Sequence, residues 1–441
     1  MSKGVVVASH NMSKHTNQFL LFLVLGWTIR GLYIFMFSHC YSMDLMAWSD
    51  IGDILLAGGN PYHLTSILSW PPFWMQLVFL FKKISLATNL PFSIVVQGFL
   101  IAVESAMSLL LYATVVRYTK FKNVTGLLII GIALNPIPIL QVCQQCNFDV
   151  LVGFWVLLAV HMLLRFQEGY EARFWLFACF ALGMGAATKT VPLSLAPLLL
   201  LSARKLKFIE QALGLALLLV PIVLTLSIVY VLNPSDIETK VFGYRSIPGC
   251  FGLTGLFAYF GANHLLAIYP KIFEIVYGTG WICLGAWLWL RETLSKQQIV
   301  AISVVILWMI PAIGPGSTPG YIYWFMPLLV LMYGMAEPKI RFFLVILYGV
   351  GAVTYLIHYA LFFQAYGGFL LTLVQTKELL KFALQLSSPA GQTFLHLPLW
   401  MFYFISVLFL CIPIGKEMAR DFRSAWTRRR EPAHRSSSRS G

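Results

Sequence analysis

Apolar runs of about 20 residues recur along almost the whole chain, and this feature limits its fold more than any other. A run of this length crosses a bilayer as an α-helix, because a helix satisfies its own backbone polar groups inside hydrocarbon. Mean hydropathy is +0.78 and only 11% of the residues are charged, which is far from the composition of soluble domains. We therefore expect an all-α, polytopic transmembrane protein.

The apolar runs predict about twelve spans. Their approximate limits are 18–38, 91–116, 124–142, 148–164, 174–188, 190–203, 208–232, 271–290, 298–313, 321–336, 342–363 and 397–415. Two consecutive spans, 174–188 and 190–203, are too short for straight crossings. Lys189 and Pro192 at their junction predict tilted or broken helices there.

The orientation follows from the distribution of Lys and Arg. Segment 72–90 has about a dozen apolar-rich residues before a lysine pair, which is short for a span and typical of an interfacial helix. If this segment does not cross, most of the 31 Lys and Arg residues lie on the side of the N-terminus, as the positive-inside rule requires. We expect both termini in the cytoplasm and three longer segments, 39–90, 233–270 and 364–396, on the opposite side.

The net charge of +14 does not indicate nucleic-acid binding, because cations of a membrane protein collect in its cytoplasmic loops. Residues 416–441 form a basic, serine-rich tail that we expect to be disordered near anionic lipid. The seven cysteines are scattered, and only Cys143 and Cys146 form a CxxC pair. Without a second pair, a zinc site is improbable, and no other set of metal ligands is visible. We expect neither a metal nor a cofactor.

The densest acidic cluster lies in the first outer loop, in the stretch "DLMAWSDIGDILLAGGNPYH" at 44–63. Apolar residues between the acids suit a short helix lying on the membrane surface. The Gly-Gly-Asn-Pro sequence at 58–61 ends that helix, and Pro71 and Pro72 begin a second one. The loop thus predicts a cradle of two interfacial helices, with Asp44 at the boundary between membrane and water.

Three sequence blocks follow one another in the first 205 residues. The first contains Asp44, Leu55, Leu56, Gly58, Asn60, Pro61, Tyr62, Trp70, Pro71 and Pro72; the second contains Gln145 and Asn147, with Gln144 replacing a glycine; the third contains Gly183, Lys189, Pro192 and Leu193. In order and spacing these blocks resemble the GT-C glycosyltransferases, most closely the bacterial polyprenyl-phosphate-mannose-dependent mannosyltransferases. The rest of the chain matches that family only as hydrophobic spans.

The resemblance implies a GT-C-like catalytic module at 1–205 and a variable transmembrane module at 206–415. Enzymes of this kind take a sugar, most often mannose, from a polyprenyl-phosphate donor. They transfer it, with inversion, to a lipid or glycan acceptor on the non-cytoplasmic face. The resemblance further implies a bacterial inner membrane protein in which Asp44 is the general base, since a fixed carboxylate can take the proton of the attacking hydroxyl. Donor, acceptor and membrane lipids are the expected partners, and nucleic acid is not.

The donor phosphate requires cations, and Lys189, Lys240 and Arg245 lie on the expected side. A lysine at a helix end that reaches toward water is the plain alternative for Lys189. Pairing with the acids of the same loop is an equal alternative for the other two.

Sugar or acceptor contacts are predicted for Tyr62, Gln145, Asn147 and Asp149. Asp149 alternatively caps the following helix. The aromatic stretch "YIYWF" at 321–325 is by default part of an interfacial belt. Glu104 lies inside a span, at a cost that requires a polar partner which the sequence does not name.

Two other classes of protein compete with this interpretation. A transporter or flippase of lipid-linked sugars predicts charged or broken helices near the midplane and internal repeats. An enzyme similar to O-antigen ligases or polymerases predicts basic residues in a large late outer loop.

Overall fold

A computed structural model describes residues 2–36, 42–65, 68–119, 123–232, 234–242, 252–291, 293–316, 319–362, 401, 404–406, 408–421 and 423, and this part of the chain is helical without strands. The first half contains α1 Ser2–Met36, α2 Met43–Leu56, α3 Pro61–Leu64, α4 Phe73–Thr88, α5 Phe92–Tyr118, α6 Val124–Leu128, α7 Pro136–Cys143, α8 Asp149–Gly169 and α9 Ala172–Thr188. The second half contains α10 Pro197–Ala203, α11 Phe208–Leu232, α12 Pro234–Ile237, α13 Gly252–Tyr259, α14 Asn263–Leu290, α15 Lys296–Ile313, α16 Met326–Met335 and α17 Pro338–Phe362.

Six of the described helices are long and apolar enough to cross a membrane. They are Asn17–Met36, Phe92–Tyr118, Asp149–Gly169, Phe208–Ser227, Asn263–Leu290 and Lys296–Ile313. A bent pair, α6 with its π-helical extension and then α7, raises the number to seven if it is one span. The prediction of about twelve spans is thus not confirmed. The expected spans 174–188, 190–203 and 321–336 are shorter apolar helices, because proline and 3₁₀ turns interrupt the helical runs.

The first outer loop folds into the expected pair of helices. Ser42 caps α2 by accepting a hydrogen bond from the backbone N–H of Leu45 at 3.1 Å. α2 ends at Leu56, and Gly58 turns the chain with φ +77°, a left-handed conformation that glycine adopts without strain. The next helix, α4, has only 16 residues and packs its buried face against α2 and α5. This length fits an interfacial position better than a crossing.

An aromatic cluster joins this loop to the membrane helices. Trp48 of α2, Trp74 of α4 and Phe148 have ring centroids 5.0–5.8 Å apart, and Trp70 completes the group. Trp48 and Trp74 are fully buried. Because aromatic rings bury large areas in fixed geometries, the cluster sets the position of α2 relative to α8.

Close packing of α9 on α11 explains a glycine of the third sequence block. A Cβ atom at Gly183 would lie 2.5 Å from the backbone oxygen of Leu218. Only glycine therefore fits at this approach of two backbones, and the approach fixes the direction in which α9 ends.

Two charged side chains meet inside the membrane region. The guanidinium of Arg30 on α1 donates to both carboxylate oxygens of Glu104 on α5, at 2.5 and 2.8 Å. Both residues are buried. Arg30 is thus the partner that Glu104 requires at this depth.

Candidate active site

A buried ion pair lies where the start of α8 meets the end of α9. Lys189 follows the last residue of α9 with an extended backbone, which directs its side chain away from the helix axis. Its Nζ donates to Oδ1 of Asp149 at 2.8 Å. The Asp149 side chain is only 2% exposed and that of Lys189 15%. The broken helix that the sequence predicts at Lys189 therefore brings an ammonium group to the N-terminus of α8.

Aromatic rings surround the ammonium group. Its Nζ lies 5.5 Å from the ring centroid of Phe148, 5.0 Å from that of Tyr321 and 4.7 Å from that of Trp324. Ring faces attract a cation, and they also exclude water from it. Lys189 is thus held as a charged group in surroundings of low polarity, where its electrostatic influence is strong.

Asp44 lies beside this pair, in the first turn of α2. Its side chain is half-buried. The pKa of Asp44 is raised to about 6: loss of surrounding water raises it most, the negative charge of Asp149 also raises it, and the positive charge of Lys189 lowers it. A carboxyl group with this pKa is largely ionised at pH 7 and yet is a stronger base than a solvated aspartate.

Ser42 links Asp44 to the second sequence block. The Ser42 hydroxyl caps α2 and donates to the backbone oxygen of Gln145 at 2.8 Å. The turn around Gln145 contains Cys146 in a left-handed conformation, with φ 52°. A change of this turn would therefore move the start of α2 and, with it, Asp44.

The predicted sugar-binding residues of the second block take different places. The Gln145 side chain is buried. The Oδ1 of Asn147 accepts a hydrogen bond from the backbone N–H of Asp149 at 3.0 Å, which closes the turn before α8. The carboxylate of Asp149 binds Lys189 instead of capping α8.

Tyr62 and Lys240 lie in the contact between two outer segments. Tyr62 is fully buried, and its hydroxyl donates to the backbone oxygen of Trp70 at 2.6 Å. Lys240 donates from Nζ to the backbone oxygens of Tyr62 and Thr65. Lys240 thus binds the first outer loop instead of the acids of its own segment. Arg245, the third predicted phosphate ligand, lies outside the described residues.

The structure brings Asp44, Asp149 and Lys189 together, and it adds residues that the sequence interpretation missed. Tyr321 and Trp324 belong to the stretch that we assigned to an interfacial belt, but they contact Lys189. The spacing of the two rings contained a signal, since side chains three residues apart lie on one side of a 3₁₀ turn. Among the described residues, no group of three or more His, Cys, Asp and Glu side chains is arranged to hold a metal ion.

Comparison with protein-family models and with curated proteins finds no match to the chain. Among solved structures, the chain is similar to ArnT from Cupriavidus metallidurans bound to undecaprenyl phosphate, with a TM-score of 0.51 and 14% identity. The similarity covers 89% of this chain and 77% of ArnT. At this identity the likeness concerns the fold alone. It shows an ArnT-like helical fold, as the resemblance to GT-C enzymes led us to expect, whereas the mannosyltransferase branch stays a prediction.

Proposed function

We propose that the protein is a membrane glycosyltransferase that moves a sugar from a polyprenyl phosphate to a hydroxyl group of a lipid or glycan acceptor. The observation that carries this proposal is the position of Asp44 beside the buried Lys189–Asp149 pair. The ArnT-like fold supports it, because ArnT was solved with undecaprenyl phosphate bound. A hexose donor, and mannose in particular, rests on the three sequence blocks.

Asp44 is the general base of the proposed reaction. The acceptor hydroxyl passes its proton to the Asp44 carboxylate while its oxygen forms a bond to the anomeric carbon. The bond from that carbon to the phosphate oxygen breaks on the opposite face, and polyprenyl phosphate leaves with the electron pair. The configuration of the anomeric carbon is therefore inverted. Partial burial of Asp44 favours proton transfer, because its pKa of about 6 lies close to neutral pH.

Lys189 is the cation for the donor phosphate. In the structure its partner is Asp149, which occupies the position of a counter-anion among the aromatic rings. A phosphate brings up to two negative charges and several acceptor oxygens, so it can replace one carboxylate as the partner of the ammonium group. Asp149, released from Lys189, then becomes available to the hydroxyl groups of the sugar or the acceptor.

The remaining predicted residues line the proposed binding site or stabilise the loops around it. We propose that Gln145 and Asn147 contact sugar or acceptor from the turn before α8, and that Tyr62 shapes the first loop from its buried position. Lys240 holds the two outer segments together. In this arrangement a contact of Lys240 with the donor phosphate follows only after its bonds to the first outer loop have opened, and Arg245 remains a proposed phosphate ligand.

The active site faces away from the cytoplasm in this proposal. Arg117, Arg165 and Lys296 gather around Glu168, at the end of α8 opposite to Asp149. Positive charges mark the cytoplasmic end of membrane helices. The Asp44 end therefore opens to the periplasmic side of a bacterial inner membrane, where lipid-linked sugars are used.

The experiment measures release of polyprenyl phosphate by purified protein in lipid nanodiscs, supplied with polyprenyl-phosphate-mannose and candidate acceptor lipids. Asp44→Asn is expected to lower turnover by about 10²- to 10⁴-fold, the contribution of a general base. The thermal unfolding temperature is expected to stay close to that of the parent protein, because the amide has the same shape.

Asp50→Asn is the matched control. It makes the same chemical change on the same helix, at an exposed position, and is expected to keep the parent's turnover. Turnover by Asp44→Asn at the parent's rate would remove the base from the mechanism. Absence of any turnover by the parent with a range of polyprenyl-phosphate sugars would overturn the proposed function.

A further inference from the structure

The buried Arg30–Glu104 pair uses every hydrogen-bond donor of its guanidinium group. Besides the two bonds to Glu104, Arg30 donates to the backbone oxygens of Gly26 at 3.1 Å, Ile132 at 3.3 Å and Ala133 at 3.4 Å. The last two oxygens belong to the π-helical turn Ile129–Ala133, where irregular winding turns carbonyls away from the helix ladder. Backbone oxygens of α1 and of the π-helical turn therefore hold the Arg30 guanidinium in place.

Glu104 has one further partner. The hydroxyl of Tyr323, which is fully buried, donates to Oε1 of Glu104 at 3.1 Å. Tyr323 lies in the 3₁₀ turn Pro319–Trp324. The donation thus connects the ion pair inside the membrane region to the turn that carries two of the rings around Lys189.

The geometry of this 3₁₀ turn directs its aromatic side chains to two different partners. In a 3₁₀ helix, side chains three residues apart lie above one another. The rings of Tyr321 and Trp324 accordingly stack with centroids 4.0 Å apart and planes 21° apart, and both contact Lys189. Tyr323 lies between them in sequence and points to Glu104.

The backbone of the turn also lies directly against α8. A Cβ atom at Gly153 would stand 3.2 Å from the backbone oxygen of Tyr323, one helical turn beyond Asp149. The turn, the start of α8 and the Lys189–Asp149 pair therefore form one packed unit, and the Tyr323 hydroxyl is its polar link to the ion pair.

We propose that Glu104, held by Arg30, is a positioning residue for the donor-phosphate site: through Tyr323 it places the Tyr321 and Trp324 rings and thereby the ammonium group of Lys189. This inference rests on the proposed function, in which Lys189 binds the phosphate. None of the three residues Arg30, Glu104 and Tyr323 touches the reacting groups. Their effect reaches the donor only through the geometry of the aromatic rings.

The first test removes the hydroxyl of Tyr323 and leaves the ion pair intact. Tyr323→Phe is expected to raise the KM for donor by about three- to tenfold, the range that loss of one hydrogen bond produces. The KM for acceptor is expected to stay unchanged. Affinity for undecaprenyl phosphate alone, measured by thermal shift in nanodiscs, is expected to fall by the same factor.

Tyr348→Phe is the matched control. The Tyr348 hydroxyl lies near Tyr323 but donates to the backbone oxygen of Gly131, in the same π-helical turn that accepts from Arg30. This variant is expected to lose thermal stability and to retain the parent's donor KM. Unchanged donor KM in Tyr323→Phe, or an equal rise in both variants, would overturn the positioning role.

The second test exchanges the pair as a unit, so that no charge is left buried alone. Arg30→Met with Glu104→Gln keeps an oxygen for Tyr323, whereas Arg30→Met with Glu104→Leu does not. We expect donor KM near the parent's value in the first double variant and a three- to tenfold rise in the second. Equal donor KM in the two would show that the pair serves stability alone.

Lipid binding keeps the two proposals separable. A parent that binds undecaprenyl phosphate but transfers no sugar overturns the proposed function, and the positioning role is then decided by the affinity of the variants for that lipid. A parent that transfers sugar, with Tyr323→Phe at parent affinity, overturns the positioning role alone. A parent that neither binds the lipid nor transfers sugar overturns both.

Discussion

The two ends of α8 hold carboxylates in opposite surroundings. At one end Asp149 pairs with a single cation, Lys189, and their side chains are 2% and 15% exposed. At the other end Glu168 accepts from Arg117 at 2.6 Å and from Lys296 at 3.1 Å, and those two cations are 46% and 40% exposed. About 30 Å of helix separates the two groups, since 21 residues rise 1.5 Å each.

This comparison indicates which of the two ion pairs has a role other than orienting the protein in the membrane. Around Glu168, water and salt screen the ion pairs, so each contributes little to stability. Around Asp149, aromatic rings surround the partner cation, and the charges of the pair act on the pKa of Asp44. A buried pair of this kind is costly to assemble and more costly to break. Its presence at one end of the molecule is better explained by chemistry than by stability.

The largest effect is expected from removing the cation at the buried end. Lys189→Met leaves the Asp149 carboxylate without its partner, so the free energy of unfolding is expected to fall by about 3–5 kcal/mol. Lys296→Met makes the same change at the exposed end and is expected to cost about 0.2–1 kcal/mol. Chemical unfolding in detergent, followed by tryptophan fluorescence, measures both.

A double variant sharpens this contrast. Lys189→Met combined with Asp149→Asn removes the buried charge together with its partner and is expected to recover most of the lost stability. If Lys189→Met and Lys296→Met lowered the free energy of unfolding equally, the two ends of α8 would not differ as described.

A smaller effect is expected from backbone packing. Gly183→Ala places a methyl group 2.5 Å from the backbone oxygen of Leu218, and we expect it to lower the free energy of unfolding by about 1–3 kcal/mol. At the other end of α8, a Cβ atom at Gly169 meets only the Glu171 side chain, at 3.9 Å. Gly169→Ala is therefore expected to stay within about 0.5 kcal/mol of the parent. Similar costs would show that the site end is no more tightly packed than the opposite end.

The smallest effect concerns the pH dependence of turnover. In the proposed mechanism Asp44 is a base only when it is ionised, so turnover is expected to rise with pH through about 6. Burial and the negative charge of Asp149 raise the pKa of Asp44, while Lys189 lowers it. Asp149→Asn removes a like charge and is therefore expected to move the midpoint of the rise to lower pH. Glu168→Gln, at the far end, is expected to leave the midpoint unchanged in the same pH–rate measurement.

Most residues of the candidate site could be predicted from the sequence. Asp44, Lys189 and Asp149 lie in or next to blocks that flank spans on the same predicted side, and loops on one side of a membrane meet at one end of a helix bundle. The two helices of the first outer loop could be predicted because the short apolar segments, the glycines and the prolines limit what this loop can form. Alternation of spans and loops thus sufficed to gather the candidates, though not to arrange them.

The sequence did not show which charged residues pair with one another or how long each helix is. Lys189 and Asp149 are 40 residues apart, and Arg30 and Glu104 are 74 apart. Glu104 stood out as costly inside a span, but any distant cation satisfied the same requirement. The number of spans is not confirmed, because 3₁₀ turns and prolines shorten apolar runs that hydropathy alone counts in full. Burial of Tyr62 depends on packing partners from elsewhere in the chain.

Arg30 has a consequence for the membrane itself. A charged pair within the bilayer could offer protons a route that dissipates the electrochemical gradient. A guanidinium group does not give up its proton under physiological conditions. Its five N–H groups are committed to Glu104, Gly26, Ile132 and Ala133, so no hydrogen remains for a passing water molecule to accept. The charge can stay in the hydrocarbon region without becoming a leak.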